Sequence, residues 1–468
     1  MEVPSPRSVD SGTVVPKVTS SGSLPARDAD GATDISACKP SNTAFETTKE
    51  TAHLIGNDSW LQVGMILVTS LNSAFVLSYP KIVMAYLGWT AGILGLVVGA
   101  AMSLHANILI ASIHFTGGKR HIRYRDLAEH LYAGRKMYIL TWISQYTNLF
   151  TINAGFIILA GEALKGIYVT YNDSSDLKLP HWVAITGGVC FIFAFFVPHL
   201  SALRVWLAIS GILTSIYIVI VLVLSVRDGR RIGRRDYAVQ GTSTQKFFNV
   251  ISGVANIAFS YSSGILPELQ ATLRAPAVLN MKKALYLLFT VGCAVMYTVL
   301  SIGYWAYGSE VSSYLLASVS GSKSVITVAN VAVFLQTIVS LHVFASPMYE
   351  YWDTKFADQK QGEWSPYNMA VRVVARGLYL TFNTFIAALL PFIGDFTSLT
   401  GALSVFPLTF VLAHHMYLRA KWGELSLARR GWHYLNVVFF SLLSVLSAIA
   451  AIRLIVVDSS TYHVFADV

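Results

Sequence analysis

Residues 70–82 read SLNSAFVLSYPKI: serines, an asparagine, Pro80 and Lys81 inside a run that is otherwise continuously apolar. Proline removes one amide donor and its ring clashes with the carbonyl four residues earlier, so a helix here is expected to break near 72 to 77. A second stretch, ANIAFSYSSGILPELQ (255–270), repeats the pattern with Ser260, Tyr261, Ser262, Ser263 and Gly264 followed by Pro267. A lone polar residue in a span is more often a bridge to a neighbouring helix, and a single break is as readily a plain kink. Two interrupted spans, five spans apart, point instead to an inverted repeat with a binding site at its centre. Freed amides at a break favour an anion and freed carbonyls favour a cation, so a guest bearing both charges suits the pair.

The surrounding chain supplies the membrane. Of its 468 residues 54% are hydrophobic and 13% charged, with a mean hydropathy of +0.55; ordinary globular chains are about 25% charged. Runs such as AGILGLVVGAAMSLHANILIASI (91–113) exceed the roughly 20 residues a spanning helix needs. They are continuous rather than alternating, which excludes a barrel and predicts an all-α polytopic membrane protein. Eleven spans are expected, at 60–86, 89–115, 138–168, 181–197, 205–226, 247–266, 284–306, 325–345, 370–390, 396–417 and 433–457. The corresponding organisation is a disordered cytoplasmic tail (1–55) and a transmembrane transporter domain (56–457), followed by an extracellular tail (458–468). Within the domain the inverted repeats are expected at about 60–226 and 247–417, with an extra helix at 433–457. Segment 123–136 is expected as a short helix at the inner surface.

The excess of 34 Lys+Arg over 25 Asp+Glu, net +9, falls in short loops such as GGKRHIRYR (117–125) and LRAPAVLNMKK (273–283). It therefore reports orientation, with the N-terminus cytoplasmic, and not a nucleic-acid partner. The loop RDGRRIGRRD (227–236) disagrees, because this topology puts it outside. Asn172-Asp173-Ser174 forms a glycosylation sequon on the outer side. Cys38, Cys190 and Cys293 have neither disulfide-framework nor zinc-ligand spacing. A membrane-embedded enzyme needs clustered histidines or a nucleophile with its base. The chain offers the adjacent pair His414-His415 without an HxxxH box, so neither an enzyme nor a metal or other cofactor is expected.

Four stretches carry a family resemblance: AFSYSSGILPELQATLRAPAVLNMKKAL (258–285), LNSAFVLSYPKIVMAYLGWTAGI (71–93), QYTNLFTINAGFIILAGEALK (145–165) and FIGDFTSLTGALSVFPLTFVLAHHMY (392–417). They resemble the plant amino acid/auxin permease family and, within it, the transporters of proline and compatible solutes. The resemblance covers nearly the whole chain after residue 55. It implies eleven spans around a leucine-transporter-type core of five plus five inverted helices, with spans one and six broken. It also implies residence in the plasma membrane and proton-driven import of a small zwitterion, proline first, with glycine betaine or γ-aminobutyrate (GABA) as further substrates. Carried over by position, Asn72, Ser73, Ala74, Phe75 and Val76 face the substrate carboxylate. Phe259, Ser260, Tyr261, Ser262, Ser263 and Gly264 lie opposite. Span three offers Tyr146, Asn148 and Asn153, and span eight offers Gln336 and Ser340; spacing does not say which of these five point inward. Lys81 and Glu162 depart from the small or neutral residues expected at their positions.

An ionisable side chain deep in a helical bundle is costly and so a functional suspect. Glu268, directly after the second break, is the first candidate for proton coupling; capping of the following helix is the alternative. His342 is the second candidate, against a structural hydrogen-bonding role. Lys81 and Glu162 are expected either to pair across the outer gate or to snorkel separately to the interface. Aromatic faces at Phe75, Phe259 or Tyr261 suit a methylated or secondary ammonium, against plain packing. A broad neutral amino acid permease and a non-transporting sensor on the same scaffold are the competing functions.

Overall fold

The computed structural model describes residues 56–172, 177–196, 204–262, 264–358, 360–362 and 364–461, with the backbone of 46–47. Both tails, Ser263, and Asp173 and Ser174 of the sequon therefore lie outside the described residues, apart from the short stretches of tail just named.

The first span opens with a reciprocal cap: the Gln62 amide donates to the Ser59 hydroxyl, and the Ser59 amide to the Gln62 side chain. Helix α1 (Trp60–Leu71) then stops. Asn72 leaves helical geometry and Ser73 is extended, at φ −63°, ψ 178°. A tight turn, Ala74–Leu77, and a wide turn with i→i+5 winding, Pro80–Ala85, lead into α2 (Tyr86–Ser112). Pro80 opens the wide turn, where a missing amide costs least. Gly88, at φ 71°, reverses the chain between the first two spans, in a backbone region open mainly to glycine.

After the short helix α3 (Tyr124–Tyr132) come α4 (Arg135–Tyr171), α5 (Leu179–Phe196) and α6 (Arg204–Arg231). The second half begins with another broken span, α7 (Ser243–Ser260) and α8 (Leu266–Thr272). Next, α9 (Ala277–Leu287) winds through Leu288–Gly292 into α10 (Cys293–Tyr307), followed by α11 (Lys323–Phe356) and α12 (Pro366–Leu389). The tenth span joins α13 (Ile393–Thr400) to α14 (Ala413–Ala420) through the wide-wound Gly401–Leu412, and α15 (Leu427–Thr461) closes the chain.

Among the described residues nine helices are long and apolar enough to cross a membrane. Two more, α7 with α8 and α12, fall at the remaining predicted spans; α12 carries Arg372 and Arg376, and α7 opens on Ser243, Thr244, Gln245 and Lys246. Several helices outrun their apolar segments: the sixth span covers 243–272 where 247–266 was expected, and α11 continues to Phe356 where 345 was expected. Hydropathy marks the lipid-facing part of a helix, whereas capped polar ends remain helical beyond it. At α7, the Thr242–Gln245 capping box does this.

Helix α4 packs on α11, α5 on α12 and α4 on α5, which makes a scaffold from spans three, four, eight and nine. Each broken span packs on the other's successor: α1 of span one on α9 of span seven, and α7 of span six on α2 of span two. These exchanged contacts, with the corresponding pairs α4–α11 and α5–α12 of the scaffold, are the symmetry an inverted repeat requires. The arginine loop 227–236 is on the face that carries 308–320. Asp228 accepts from the Ser320 amide at 2.6 Å and from the Tyr307 hydroxyl at 2.9 Å, and the Arg235 guanidinium lies 4.6 Å from the Trp305 ring centroid. Its charge is thus partly absorbed by local partners.

Candidate functional site

The two breaks face each other across a cavity of about 60 Å³. Ser73, Phe75 and Tyr79 line it from the first span, and Phe259, Ser260, Tyr261 and Ser262 from the sixth. Asn107 of α2, Ile152 and Phe156 of α4, and Phe344 of α11 complete much of the wall. Phe75 sits at the centre of an aromatic cluster, 4.8 Å from the Phe156 centroid and 5.0 Å from that of Phe259. Gly155 makes room for it, since a Cβ there would lie 2.7 Å from Phe75 Cζ. Ala74 and Phe75 open a helical turn, and opening amides have no intrahelical acceptor, so the first break presents donors and the positive end of a dipole.

The carbonyls freed at the breaks are largely taken. The Tyr217 hydroxyl of α6 donates to the Asn72 carbonyl at 2.6 Å, and the Ser103 hydroxyl to the Tyr261 carbonyl at 3.2 Å. The Gln145 side-chain amide donates to the Gly264 carbonyl at 2.8 Å. Irregular backbone within a membrane needs such satisfaction. The Asn72, Tyr261 and Gly264 carbonyls, expected to be free at the breaks, thus each already accept a side-chain hydrogen bond.

Gln145 also donates to Glu268 Oε1 at 2.7 Å, while Glu268 Oε2 has no hydrogen-bond partner among the described residues. Glu268 is buried in the first turn of α8, just beyond the cavity wall. On the far side α3 is pinned to the core: the Tyr124 hydroxyl donates to the Leu408 carbonyl, and Arg125 Nη1 donates to the Tyr146 hydroxyl at 2.6 Å. The loop before α3 caps the carbonyl end of α8, with Arg120 Nη2 donating to the Ala271 carbonyl at 2.8 Å. His114 Nε2 accepts from Arg120 Nε at 3.3 Å. Burial first, and then the neighbouring Arg120 charge, hold the His114 pKa down to about 3, which keeps the ring neutral and able to accept.

The remaining predicted residues distribute as follows. Asn72 lines a separate cleft of about 900 Å³ that runs between α1 and α6 and reaches Asp58, so the break forms the wall between cleft and cavity. Ala74 and Val76 are buried but do not line the cavity. Gly264 lies beneath Asn148, whose Nδ2 donates to the Ser262 hydroxyl at 3.3 Å. Tyr146, Asn153, Gln336 and Ser340 do not line the cavity: Asn153 donates to the Tyr379 hydroxyl, and Gln336 to the Ser340 hydroxyl. His342 faces away from the cavity, with its two ring nitrogens at the Ile338 and Cys190 carbonyls (2.7 and 3.0 Å) and its ring against Phe193. Of the two arrangements expected for Lys81 and Glu162, a pair or separate groups, the structure has Lys81 Nζ donating to the Ser309 carbonyl at 3.0 Å, beside Glu310. Lys81 points from the second half of span one toward the turn after α10, and so away from α4. Sequence reading missed Gln145, Tyr217 and Asn107. Each is an ordinary polar residue in an apolar span: Gln145 and Tyr217 are marked by the carbonyls they reach on another span, and Asn107, whose amide donates to Ser103 within α2, by its place in the cavity wall.

A scaffold of four helices and two facing broken spans around a small central cavity is the architecture of the leucine-transporter-type fold. The fold is shared with Mhp1, a nucleobase-cation-symport-1 family transporter solved in a closed conformation with bromovinylhydantoin bound, at a TM-score of 0.55 and 14% identity over 90% of this chain and 96% of that one. Residues 56–454 match the family described as transmembrane amino acid transporter protein, and the chain belongs to that family. Similar proteins from Arabidopsis thaliana include GABA transporter 1, at 30% identity over 88% of this chain and 93% of the relative. Lysine histidine transporter-like 6 is 26% identical over 85% and 91%, and amino acid permease 2 is 26% identical over 91% and 93%. The chain is an amino acid transporter and not an enzyme.

Proposed function

We propose that this transporter imports small zwitterions, GABA, L-proline and glycine betaine, by proton symport with alternating access at the plasma membrane. The observation that carries the reading is the buried Glu268: a carboxyl one turn from the broken backbone of span six, with one oxygen held by Gln145 and the other without a partner. A carboxyl so placed senses both protonation and the geometry of the break. The substrate carboxylate is assigned to the amides of Ala74 and Phe75 and to Ser73, and its cationic end to the hydroxyls of Ser260 and Ser262 and the faces of Phe75 and Phe259. The relative named for GABA supports that member of the substrate class.

With the N-terminus cytoplasmic, the cleft along α1 opens inward and the Lys81–Ser309 contact closes the outer side. The proton gradient then replaces any cofactor as the energy source. Relatives named as an amino acid permease and a lysine histidine transporter favour a second reading, a broad-specificity amino acid permease. Uptake of labelled GABA into proteoliposomes under an imposed pH gradient, with proline, betaine and larger neutral amino acids as competitors, tests both. Concentrative uptake displaced by proline and betaine supports the first reading, and equal displacement by large neutral amino acids supports the second. Equilibration that ignores the gradient contradicts symport, and absence of uptake contradicts transport of this substrate class.

A further inference from the structure

Sequence spacing gives no metal site, but folding brings three histidines from distant segments together: His105 of α2, His414 of α14 and His433 of α15. One ring nitrogen from each lies within 4.8 Å of the others. His414 and His433 are buried and their Nδ1 atoms are 2.9 Å apart, while the His105 and His433 rings stack with centroids 6.2 Å apart. His105 Nε2 and His414 Nε2 have no hydrogen-bond partner among the described residues, and no hydrogen bond joins any of the three rings to a carboxylate there. Each histidine is within about two turns of its helix end, at Ser112, Ala420 and Leu427 respectively. None of them lines the central cavity or the cleft beside α1.

We infer that His105, His414 and His433 form a binding site for one divalent transition-metal ion of the zinc type, which staples α2 to α14 and α15 and slows transport. Zinc takes imidazole nitrogens at about 2.0–2.1 Å in tetrahedral geometry, which sets ligand nitrogens roughly 3.3 Å apart. The separations bracket that spacing, so closures of up to about 1.5 Å with ring rotations suffice. Ligand imidazoles must be neutral. In the His414–His433 pair the donating ring moves its proton from Nδ1 to Nε2, so both Nδ1 lone pairs face the ion and no proton leaves the site. Three imidazoles leave a fourth position for water. A buried ring nitrogen without a partner is costly, and the ion would supply one to His105 Nε2. The ion would join a helix that packs on broken span six to the two last spans, so substrate turnover requires the staple to give way.

The test uses purified full-length protein stripped with a chelator, then titrated with Zn²⁺ against a colorimetric indicator and with Co²⁺ followed by visible absorption. The expected result is one ion per chain, tetrahedral Co²⁺ bands, and affinity at least ~10-fold weaker in His105→Ala and His433→Ala. His433→Cys keeps a ligand and is expected to retain binding with a new thiolate-to-cobalt band, which separates loss of a ligand from loss of the fold. Uptake by the wild type should fall on adding Zn²⁺ and recover with chelator, and uptake by His433→Ala should ignore the metal. Absence of one-to-one binding, or affinity unchanged in both alanine variants, overturns the site. Binding with undiminished uptake overturns the staple.

Discussion

Gln145 bridges the broken sixth span from the scaffold: one side-chain amide nitrogen is 2.7 Å from Glu268 Oε1 and 2.8 Å from the Gly264 carbonyl. It thus joins the candidate proton carrier to the irregular backbone beside the cavity. Whatever changes the charge on Glu268 changes the pull on Gln145, and through it the position of the break relative to α4.

Glu268→Gln removes the titrating proton and keeps the shape. Gradient-driven accumulation should fall at least ~10-fold while substrate exchange across the membrane persists, because a hydrogen bond to a charged group is worth about 1.5–3 kcal/mol. Gln145→Leu should impair both, since it orphans Glu268 Oε1 and the Gly264 carbonyl together. Uptake and counterflow in the same vesicles separate the two behaviours.

A side chain at Gly264 would crowd Asn148. An alanine Cβ there would meet Asn148 Nδ2 at 2.4 Å, and overpacking of this kind costs about 1–3 kcal/mol. Gly264→Ala should depress uptake with protein still reaching the membrane, and adding Asn148→Ala should restore part of it. Surface-normalised uptake of the single and double variants measures the rescue.

Tyr217→Phe removes the donor to the Asn72 carbonyl and leaves that buried group without its 2.6 Å partner. The expected cost is about 1–3 kcal/mol, read as a lower thermal midpoint of the purified protein in detergent.

The two breaks were legible because proline and small polar residues advertise themselves in an apolar run: Asn72, Ser73 and Pro80 mark the first, and Ser260 to Pro267 the second. Phe75 and Phe259 came from the family resemblance, carried over by position. Gln145 and Tyr217 did not, because their significance is a contact across 119 residues for Gln145–Gly264 and 145 for Tyr217–Asn72, and no local pattern encodes such distances. For the same reason the sequence did not choose between a Lys81–Glu162 pair and two separate groups, and in the structure Lys81 reaches the Ser309 carbonyl. Span adjacency was anticipated, but the direction in which Lys81 leaves its helix depends on the wide turn at Pro80–Ala85 and on the loop that supplies Ser309. The histidine cluster was illegible because its members are separated by more than 300 residues at the widest, between His105 and His433.

The loop at His114 should make stability depend on pH with a definite sign. Its pKa is about 3 when folded and about 6.5 when free, so above pH ~6.5 the ring is neutral in both states and contributes no slope. Below that the unfolded chain binds the proton and the folded one does not, so stability is lost as pH falls from ~6.5 toward 3. His121, also lowered by burial, acts in the same direction. His114→Gln keeps an acceptor for Arg120, and should flatten the decline without abolishing it. Thermal midpoints measured across that pH range test this.

The central claim is that substrate rests between the two breaks, and a structure of the wild-type protein determined with bound GABA or proline tests it most directly. The account predicts ligand density bounded by Ser73, Phe75, Ser260 and Ser262, with the carboxylate within hydrogen-bonding distance of the Ala74 and Phe75 amides. Helices running unbroken through 72–77 and 261–265, or ligand bound away from that cavity, would contradict it.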